Sequence, residues 1–271
     1  AQLSGYLEDN GYNLTVVGLP KTVDNDVYPI SQTLGAWTAA EQGAVFFENI
    51  VNENTTSTRQ LIIHEVMGRN CGWLTAQTAF DYRDRMKNRE FIPELLIDQS
   101  RWDIDAVYIP ESDFDFQTEV SRLKAVMDAK DGVNVFLSEG AGLETIVREM
   151  EDRGQEIPRD AFGHVRLDDI NPGKWFAKQF SGALGAEKTL VQKSGYFARS
   201  AKPNNRDLQL TQKSAHIAVE YAVAQKNGVV GKDIDNNNEI GLIEFARIKG
   251  GKPFDPNVDW FCSLLNEIGQ K

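Results

Sequence analysis

Two carboxylates, a lysine and a threonine lie close together near the start of the chain, in the segment Pro20–Asp26 (PKTVDND). Phosphoryl transfer needs a carboxylate that accepts the proton of the attacking hydroxyl group, and cations that offset the charge of the transferred group. Asp24 and Asp26 meet the first need, and Lys21 meets the second. The same residues also fit an ordinary polar turn, because Asp and Asn are common in turns. Taken alone, the segment leaves both interpretations open.

A second segment with binding chemistry is Met67-Gly68-Arg69. A glycine lets the backbone approach a ligand closely, and an arginine can hold phosphate or sugar oxygens through two parallel hydrogen bonds. The alternative is a solvated arginine at the start of a helix. This segment therefore becomes informative only in combination with other motifs.

The pattern of apolar residues predicts the elements that position these segments. Strands are predicted at 13–18, 60–66, 106–109 and 133–138, and helices at 31–53 with Ser31 as N-cap, at 71–81 and at 116–129. This βαβα alternation favours parallel strands with helices on both faces, and ligands then bind beyond the carboxyl ends of the strands. Both chemical segments follow a predicted strand directly.

The second half of the chain starts less regularly. We predict an irregular insertion over 154–174, a strand at 189–192, an amphipathic helix at 207–225, a strand at 241–248 and a closing helix at 258–268. Ile243, Phe245 and Ile248 are expected to contribute to the last part of the core.

Composition bounds the class of protein. The chain has 271 residues, of which 41% are hydrophobic and 25% are charged, as in a folded globular protein. Its formal net charge of -11 argues against binding to nucleic acid or to anionic lipid. No apolar run approaches the length that crosses a bilayer, and residues 1–10 lack the pattern of a signal peptide, so we expect a cytoplasmic protein without a membrane partner. Cys71 and Cys262 lack metal-ligand spacing and are expected to be reduced thiols.

The chain combines four motifs: GLPKTVDND, EVMGRNCGWLT, LSEGAG with Glu139, and the loop GYFAR at 195–199. Together they resemble the phosphofructokinase family, and the match covers nearly the whole chain. The resemblance implies an α/β fold of two Rossmann-like three-layer domains with mostly parallel sheets. It assigns 1–36 and 198–250 to the remainder of a donor-binding domain and 37–197 to a sugar-phosphate-binding domain with an insertion near 154–174. Residues 251–271 are expected to form a C-terminal extension.

The resemblance also implies a role for each motif residue. Asp24 is expected to be the general base that removes the proton of the sugar's 1-hydroxyl group, with Asp26 beside it to orient groups or assist Mg²⁺. Other residues are expected to contact the substrate: Thr22 at the reacting group, Met67, Gly68 and Arg69 at the sugar, Glu139 at its hydroxyl groups, and Tyr196 with Arg199 at the 6-phosphate. Thr22 and Arg69 join the two aspartates as the expected catalytic set.

The resemblance implies that the phosphoryl donor is decided mainly by Lys21. ATP-dependent members of the family typically have glycine there, which leaves space for a nucleotide, whereas pyrophosphate-dependent members have lysine. An ammonium group suits pyrophosphate because that donor is compact and highly charged. The segments DAFGH at 160–164 and NPGKWF at 171–176 also resemble the long bacterial pyrophosphate enzymes.

The implied reaction is reversible phosphoryl transfer from pyrophosphate to fructose 6-phosphate, which gives fructose 1,6-bisphosphate in glycolysis or gluconeogenesis. Two alternatives stay open at this stage. One is an ATP-dependent member of the family, and the other is a non-catalytic regulatory subunit that binds sugar phosphates. The family likeness further implies a homodimer or homotetramer.

The match departs from the family pattern in two places. The family's glycine-rich GGD-type loop, which normally meets the donor and Mg²⁺, is expected upstream of the first strand and is absent from the sequence. The arginines of the 6-phosphate clamp are also displaced, because Arg59 lies one position from the expected site and Lys188 or Lys193 stands where another arginine is usual. The three histidines, His64, His164 and His216, are expected to have no catalytic role.

Overall fold

The computed structural model describes residues 2–95, 97–160, 163 and 165–271. The chain divides into two compact units. Unit 1 consists of Ala1–Ala39 and Arg199–Pro253, and unit 2 consists of Ala40–Ala198 and Phe254–Lys271. Within the described residues, no helix is both long enough and apolar enough to span a membrane.

The helices and strands follow one another along the whole chain. The helices are α1 (Gln2–Asp9), α2 (Ala36–Ile50), α3 (Trp73–Met86), α4 (Gln99–Trp102), α5 (Phe116–Lys130), α6 (Leu143–Asp152), α7 (Leu167–Ile170), α8 (Pro172–Leu184), α9 (Gly195–Ser200), α10 (Asn205–Val223) and α11 (Asp259–Glu267). The strands are β1 (Val17–Gly18), β2 (Gln60–Val66), β3 (Ala106–Tyr108), β4 (Gly132–Ser138), β5 (Lys188–Lys193), β6 (Gly228–Asp233) and β7 (Glu239–Ile243). Short 3-10 helices lie at Val51–Thr55, Pro93–Leu95, Ile234–Asn236 and Phe245–Arg247.

Unit 1 contains a three-stranded sheet in the order β1-β6-β7. β1 runs parallel to β6, and β6 runs antiparallel to β7. A small apolar cluster lies beside it, formed by Ile30, Val229 and Ile243 with Val27, Phe245 and Ile248 packed around them. The three residues predicted to supply the last part of the core are therefore all in this cluster.

Unit 2 contains a four-stranded parallel sheet in the order β3-β4-β2-β5. All seven residues of β2 and all seven of β4 are buried, because helices cover both faces of the sheet. Successive side chains of a strand point to opposite faces. Leu61 and Ile63 therefore pack with the apolar residues of α5 and α8, whereas His64 contacts the rings of Phe47 and Phe136. Both faces of these strands are therefore buried, as is usual for a parallel sheet.

The predicted start of α2 is wrong. Ser31 is not its N-cap, and the helix begins at Ala36. The carboxylate of the distant Asp207 accepts hydrogen bonds from the Gly35 amide (3.0 Å) and the Thr38 amide (2.7 Å). A side chain from another part of the chain therefore satisfies the first amides of this helix.

Other predictions needed smaller corrections. The first predicted strand, 13–18, is reduced to Val17–Gly18, and β6 was not predicted at all. α3 continues to Met86, well beyond the predicted end at 81. The residues expected to form an extension, 251–271, lie mostly in unit 2, because α11 buries Phe261, Leu264 and Leu265 there.

The predicted insertion over 154–174 contains α7 and ends inside α8. The Asn171 side chain accepts a hydrogen bond from the Lys174 amide and so begins α8. Ala161, Phe162 and His164, which belong to the segment used to compare this chain with the long bacterial enzymes, lie outside the described residues.

Candidate active site

The candidate residues of unit 1 lie on a loop that follows the carboxyl end of β1. Lys21 forms a β-bridge with Leu34, and the Leu34 amide donates to the Pro20 carbonyl at 2.9 Å. The loop between them is therefore closed at its base. Lys21 is exposed, and the side chains of Asp24 and Asp26 are half-buried.

Asn25, between the two aspartates, organises this loop. It is almost fully buried and adopts a left-handed backbone conformation, with φ of 57°, which Asn tolerates better than most residues. Its Oδ1 accepts a hydrogen bond from the Thr33 amide (2.9 Å), and its Nδ2 donates to the Ser31 carbonyl (3.2 Å). The buried amide thus fixes the backbone that carries both carboxylates.

Thr22 forms two contacts within the loop. Its hydroxyl oxygen accepts a hydrogen bond from the Asp24 amide (3.2 Å), and its carbonyl accepts one from the Thr33 hydroxyl (2.7 Å). A hydroxyl that accepts in this way keeps its own proton for donation to a ligand. The contact also ties Thr22 to the turn that carries Asp24.

A segment near the end of unit 1, residues 247–252, braces the far side of the loop. The Lys252 amide donates to the Asp26 carbonyl at 2.8 Å, and its ammonium group donates to the Ile30 carbonyl. Tyr28 and Lys249 exchange two backbone hydrogen bonds of 2.8 and 2.9 Å. We call residues 247–252 the brace, because they hold the loop by its backbone.

The brace is anchored by a group of charged side chains. Arg247 donates to both carboxylate oxygens of Asp233 and to Asp235, whose oxygens also accept from the Tyr28 hydroxyl. The Arg247 hydrogen bond holds the pKa of Asp235 below its usual range, and the Asp235 hydrogen bond raises the pKa of Tyr28. These side chains connect the end of β6 to both the brace and the loop.

The candidate residues of unit 2 lie at the carboxyl ends of β2 and β4, held by close backbone approach. The Gly68 amide donates to Glu139 Oε1 (3.4 Å), and the Glu139 amide donates to the Val66 carbonyl (2.9 Å). A Cβ atom at Gly140 would lie 1.8 Å from the carbonyl oxygen of Arg69. A side chain at residue 140 is therefore sterically excluded, and the structure brings Gly68, Arg69 and Glu139 together.

Gly68 is restricted in a similar way. Its φ of 133° is one that other residues rarely adopt, and a Cβ there would lie 2.4 Å from the Cys71 carbonyl oxygen. The Ser138 hydroxyl donates to the Gly68 carbonyl. The glycine of the Met67-Gly68-Arg69 segment is thus required by the fold of the strand ends.

Glu65 is a positioning residue that the sequence did not single out. Its side chain is almost fully buried at the end of β2, where it accepts from the Gly173 amide (2.9 Å) and pairs with the Lys193 ammonium (2.8 Å). It therefore joins the ends of β2 and β5 to the start of α8. No local pattern could have shown this, because its partners lie more than 100 residues away in sequence.

A cavity of about 750 Å³ opens at the same strand ends. Arg69 and Gly140 line it, together with Arg148 of α6 and Trp175 of α8. Glu111 also lines it, and both of its carboxylate oxygens lie 3.0 Å from the Gly72 amide nitrogen, which donates one hydrogen bond shared between them just before α3. Arg69 is half-buried at this opening.

The residues expected to hold the 6-phosphate differ in their surroundings from the cations considered as alternatives. Tyr196 is 84% exposed and Arg199 is exposed, both on α9. The alternative cations are each paired with a carboxylate: Arg59 with Asp128, Lys188 with Glu53, and Lys193 with Glu65. The Lys188 hydrogen bond lowers the pKa of Glu53.

Two of the three histidines, His64 and His216, lie within the described residues. His64 is buried among aromatic rings, and desolvation lowers its pKa to about 3. His216 is exposed and lies 3.4 Å from Glu220. Within the described ranges, no three His, Cys, Asp or Glu side chains gather where they could hold a metal ion.

Comparison with known families decides the relationship. The family described as "Phosphofructokinase" matches residues 2–222 of the chain. The chain belongs to the phosphofructokinase family. This match ends before β6, so the brace lies outside the matched residues.

Several curated relatives of the phosphofructokinase chain are named pyrophosphate--fructose 6-phosphate 1-phosphotransferase. The protein of Methylomonas methanica is 58% identical over 270 residues, which are 100% of this chain and 66% of that protein. The protein of Propionibacterium freudenreichii subsp. shermanii is 53% identical over 270 residues, 67% of its length. This phosphofructokinase chain thus spans about two thirds of the length of these relatives.

Solved structures show the phosphofructokinase fold. The pyrophosphate-dependent phosphofructokinase of Marinobacter aquaeolei has a TM-score of 0.62 at 21% identity, with 97% of this chain and 63% of that chain covered. The corresponding structure from Nitrosospira multiformis has a TM-score of 0.63 at 20% identity and the same coverage. At such identities the comparison supports the α/β fold alone.

Proposed function

We propose that this chain transfers a phosphoryl group from pyrophosphate to the 1-hydroxyl group of fructose 6-phosphate, in a reaction that runs in both directions. The observation that carries the proposal is the buried Asn25, which holds Asp24 and Asp26 on one turn at the carboxyl end of β1, beside the exposed Lys21. The names of the relatives at 53–58% identity agree with it.

In the proposed mechanism, Asp24 accepts the proton of the attacking hydroxyl group. Asp26 orients the reacting groups, and the Thr22 hydroxyl donates a hydrogen bond to the substrate. Lys21 places a positive charge against pyrophosphate, and Arg69 offsets charge on the transferred group. These are the contributions that phosphoryl transfer requires, since its catalysis is mainly positioning and electrostatic stabilisation.

The sugar phosphate is proposed to bind to the residues of unit 2 and α9. Met67, Gly68 and Arg69 approach the sugar with backbone and guanidinium groups, and Glu139 accepts hydrogen bonds from its hydroxyl groups. Tyr196 and Arg199 hold the 6-phosphate. The exposure of these two side chains suits residues that bind a solvated phosphate.

Mg²⁺ is the proposed cofactor. The chain offers the half-buried carboxylate of Asp26 beside the base Asp24, which fits an ion that takes one or two protein carboxylates and completes its shell with phosphate oxygens and water. When bound, it would offset the charge of the phosphoryl group. We further propose a cytoplasmic homodimer or homotetramer, on the basis of the family likeness.

Asp24→Asn in the full-length protein tests the assignment of Asp24 as the general base. We expect turnover to fall by about 10²- to 10⁴-fold, the usual contribution of a general base, while the affinity for fructose 6-phosphate changes little. The exposed Asp9→Asn is the control for loss of a carboxylate. Unchanged turnover in the Asp24 variant would contradict the assignment.

The test of the donor compares pyrophosphate with ATP. We expect turnover with pyrophosphate and little with ATP, and we expect Lys21→Gly to weaken use of pyrophosphate more than binding of the sugar. Turnover with ATP alone would favour an ATP-dependent enzyme. Sugar-phosphate binding without turnover of either donor would favour a regulatory subunit.

A further inference from the structure

Two cations of unit 1, both distant in sequence from the candidate loop, lie at the ring of Trp37. The guanidinium carbon of Arg206 lies 4.1 Å from the ring centroid, and the Lys232 ammonium lies 5.6 Å from it. Lys213 follows Arg206 by two helical turns on α10 and lines an open cavity of about 330 Å³ together with Lys232. We call Trp37, Arg206, Lys213 and Lys232 the Trp37 cluster.

These cations lack neutralising partners. In the part of the chain that the structure describes, no carboxylate oxygen lies within 4.0 Å of the charged nitrogens of Arg206, Lys213 or Lys232. Glu239 also lines the cavity but forms no ion pair with them. Two such charges at one ring, with a third cation at the adjoining cavity, are unusual in a chain with a net charge of -11, because nearby like charges repel one another.

The carboxylates next in sequence are used elsewhere. Asp207 follows Arg206 directly, but its buried carboxylate is bound to the amides of Gly35 and Thr38. Asp233 follows Lys232 directly, but its carboxylate is bound to Arg247. The two acidic groups next in sequence to the Trp37 cluster are therefore bound to other partners and do not neutralise its cations.

We propose that the Trp37 cluster binds the phosphoryl group of a small anion, at a site separate from the donor and sugar positions. Stacking on the indole holds the planar guanidinium in place, so that its N–H groups are available for bidentate contact with phosphate oxygens. Lys232 and Lys213 add two ammonium groups at the cavity. The contact is electrostatic, so its affinity falls as salt concentration rises.

Isothermal titration calorimetry on the full-length protein tests the proposal. The ligands are orthophosphate and pyrophosphate. Lys21→Ala provides the background, because it removes the cation that we assign to the donor position. We expect saturable binding to persist in that background and to weaken by about tenfold or more in the double variant Arg206→Ala/Lys232→Ala. The control removes two exposed lysines of α8, Lys174→Ala/Lys178→Ala, and should change the affinity by less than about twofold.

The outcomes separate this site from the proposed reaction. If the α8 control weakens binding as much as the cluster variant, or if the cluster variant binds both anions normally, the site does not exist. Trp37→Leu should also weaken binding, whereas Trp37→Phe should retain most of it. Turnover at saturating substrates should be unchanged in the cluster variant, so loss of this site and failure of the phosphotransferase proposal are distinguishable.

Discussion

The two sets of candidate residues are held in place by different means. In unit 1, a single buried side chain, Asn25, fixes the turn that carries Asp24 and Asp26. In unit 2, the backbone itself fixes the ends of β2 and β4, because glycines allow chain segments to approach one another closely. The first arrangement depends on hydrogen bonds that one substitution removes, and the second depends on the absence of any side chain.

The largest effect should follow from Gly140→Ala. Its Cβ would lie 1.8 Å from the Arg69 carbonyl oxygen, so the backbone has to move. We expect the free energy of unfolding to fall by more than about 3 kcal/mol, a size reached only by severe clashes or lost core contacts. Denaturant unfolding monitored by fluorescence measures it. Gly182→Ala in α8, where a Cβ meets nothing within 4 Å, is the matched control and should be neutral or slightly stabilising.

The next largest effect is on the pH dependence of stability, and it comes from His64 in unit 2. His64 has a folded pKa of about 3, well below the unfolded value of about 6.5. Its neutral form therefore contributes stability above pH 6.5 that is lost as the pH falls from 6.5 toward 3. When the pH is lowered from 7 to 5, the free energy of unfolding should fall in both proteins. The fall should be about 2 kcal/mol smaller in His64→Leu than in the parent protein.

Urea unfolding at both pH values measures the difference for His64. His216→Leu, at an exposed position, is the control for loss of an imidazole. Equal pH dependence in the parent protein and the His64 variant would show that the buried ring does not govern acid sensitivity.

Asn25→Ala should affect activity more than stability. It leaves the buried Thr33 amide without its partner, which costs about 2 kcal/mol, and it frees the turn that carries Asp24. A general base displaced by about 1 Å can lower turnover by about 100-fold. Steady-state kinetics should therefore show a fall in kcat with fructose 6-phosphate affinity retained.

Asn49→Ala is the control for Asn25, because this exposed side chain bonds only to a carbonyl within its own helix. If Asn25→Ala kept normal turnover, the turn would be held by the brace and by Thr22 without help from the amide. The contrast between the two units would then be smaller than we describe.

The smallest effect is expected for Tyr28→Phe. The hydroxyl that it removes contacts Asp235 at the surface, where water can replace it, and the backbone pair with Lys249 remains. We expect kcat/KM to change by less than about twofold. A larger loss would show that the charged anchor of the brace acts on the loop through this hydroxyl.

The elements that the sequence predicted well are those decided by local pattern. β2 has the predicted bounds, Gln60–Val66, because its short apolar run Leu61–Ile63 and the following Val66 are typical of a buried strand. α5 also begins at the predicted Phe116, where Asp115 caps the helix. The start of α2 was missed because its cap, Asp207, comes from more than 160 residues away.

The candidate site shows the same division. The carboxylates and the lysine of Pro20–Asp26 are visible as residue types, and the glycine of Met67-Gly68-Arg69 could be predicted to permit close approach. The contacts of Asn25, Glu65 and the brace could not be predicted, because each joins parts of the chain that only the fold brings together. The roles assigned to the individual site residues stay predictions until the variants are measured.

The contact between Thr38 and Asn204 has a consequence for how the chain folds. The Asn204 amide donates to the Thr38 hydroxyl at 3.0 Å, across 166 residues of sequence. Most of unit 2 is therefore inserted into unit 1, and its two ends are tied together at one point. Closing a loop of that length costs conformational entropy before its contacts form. Prior folding of the inserted unit would shorten the loop, which favours an order in which the turn that carries Asp24 and Asp26 is completed last.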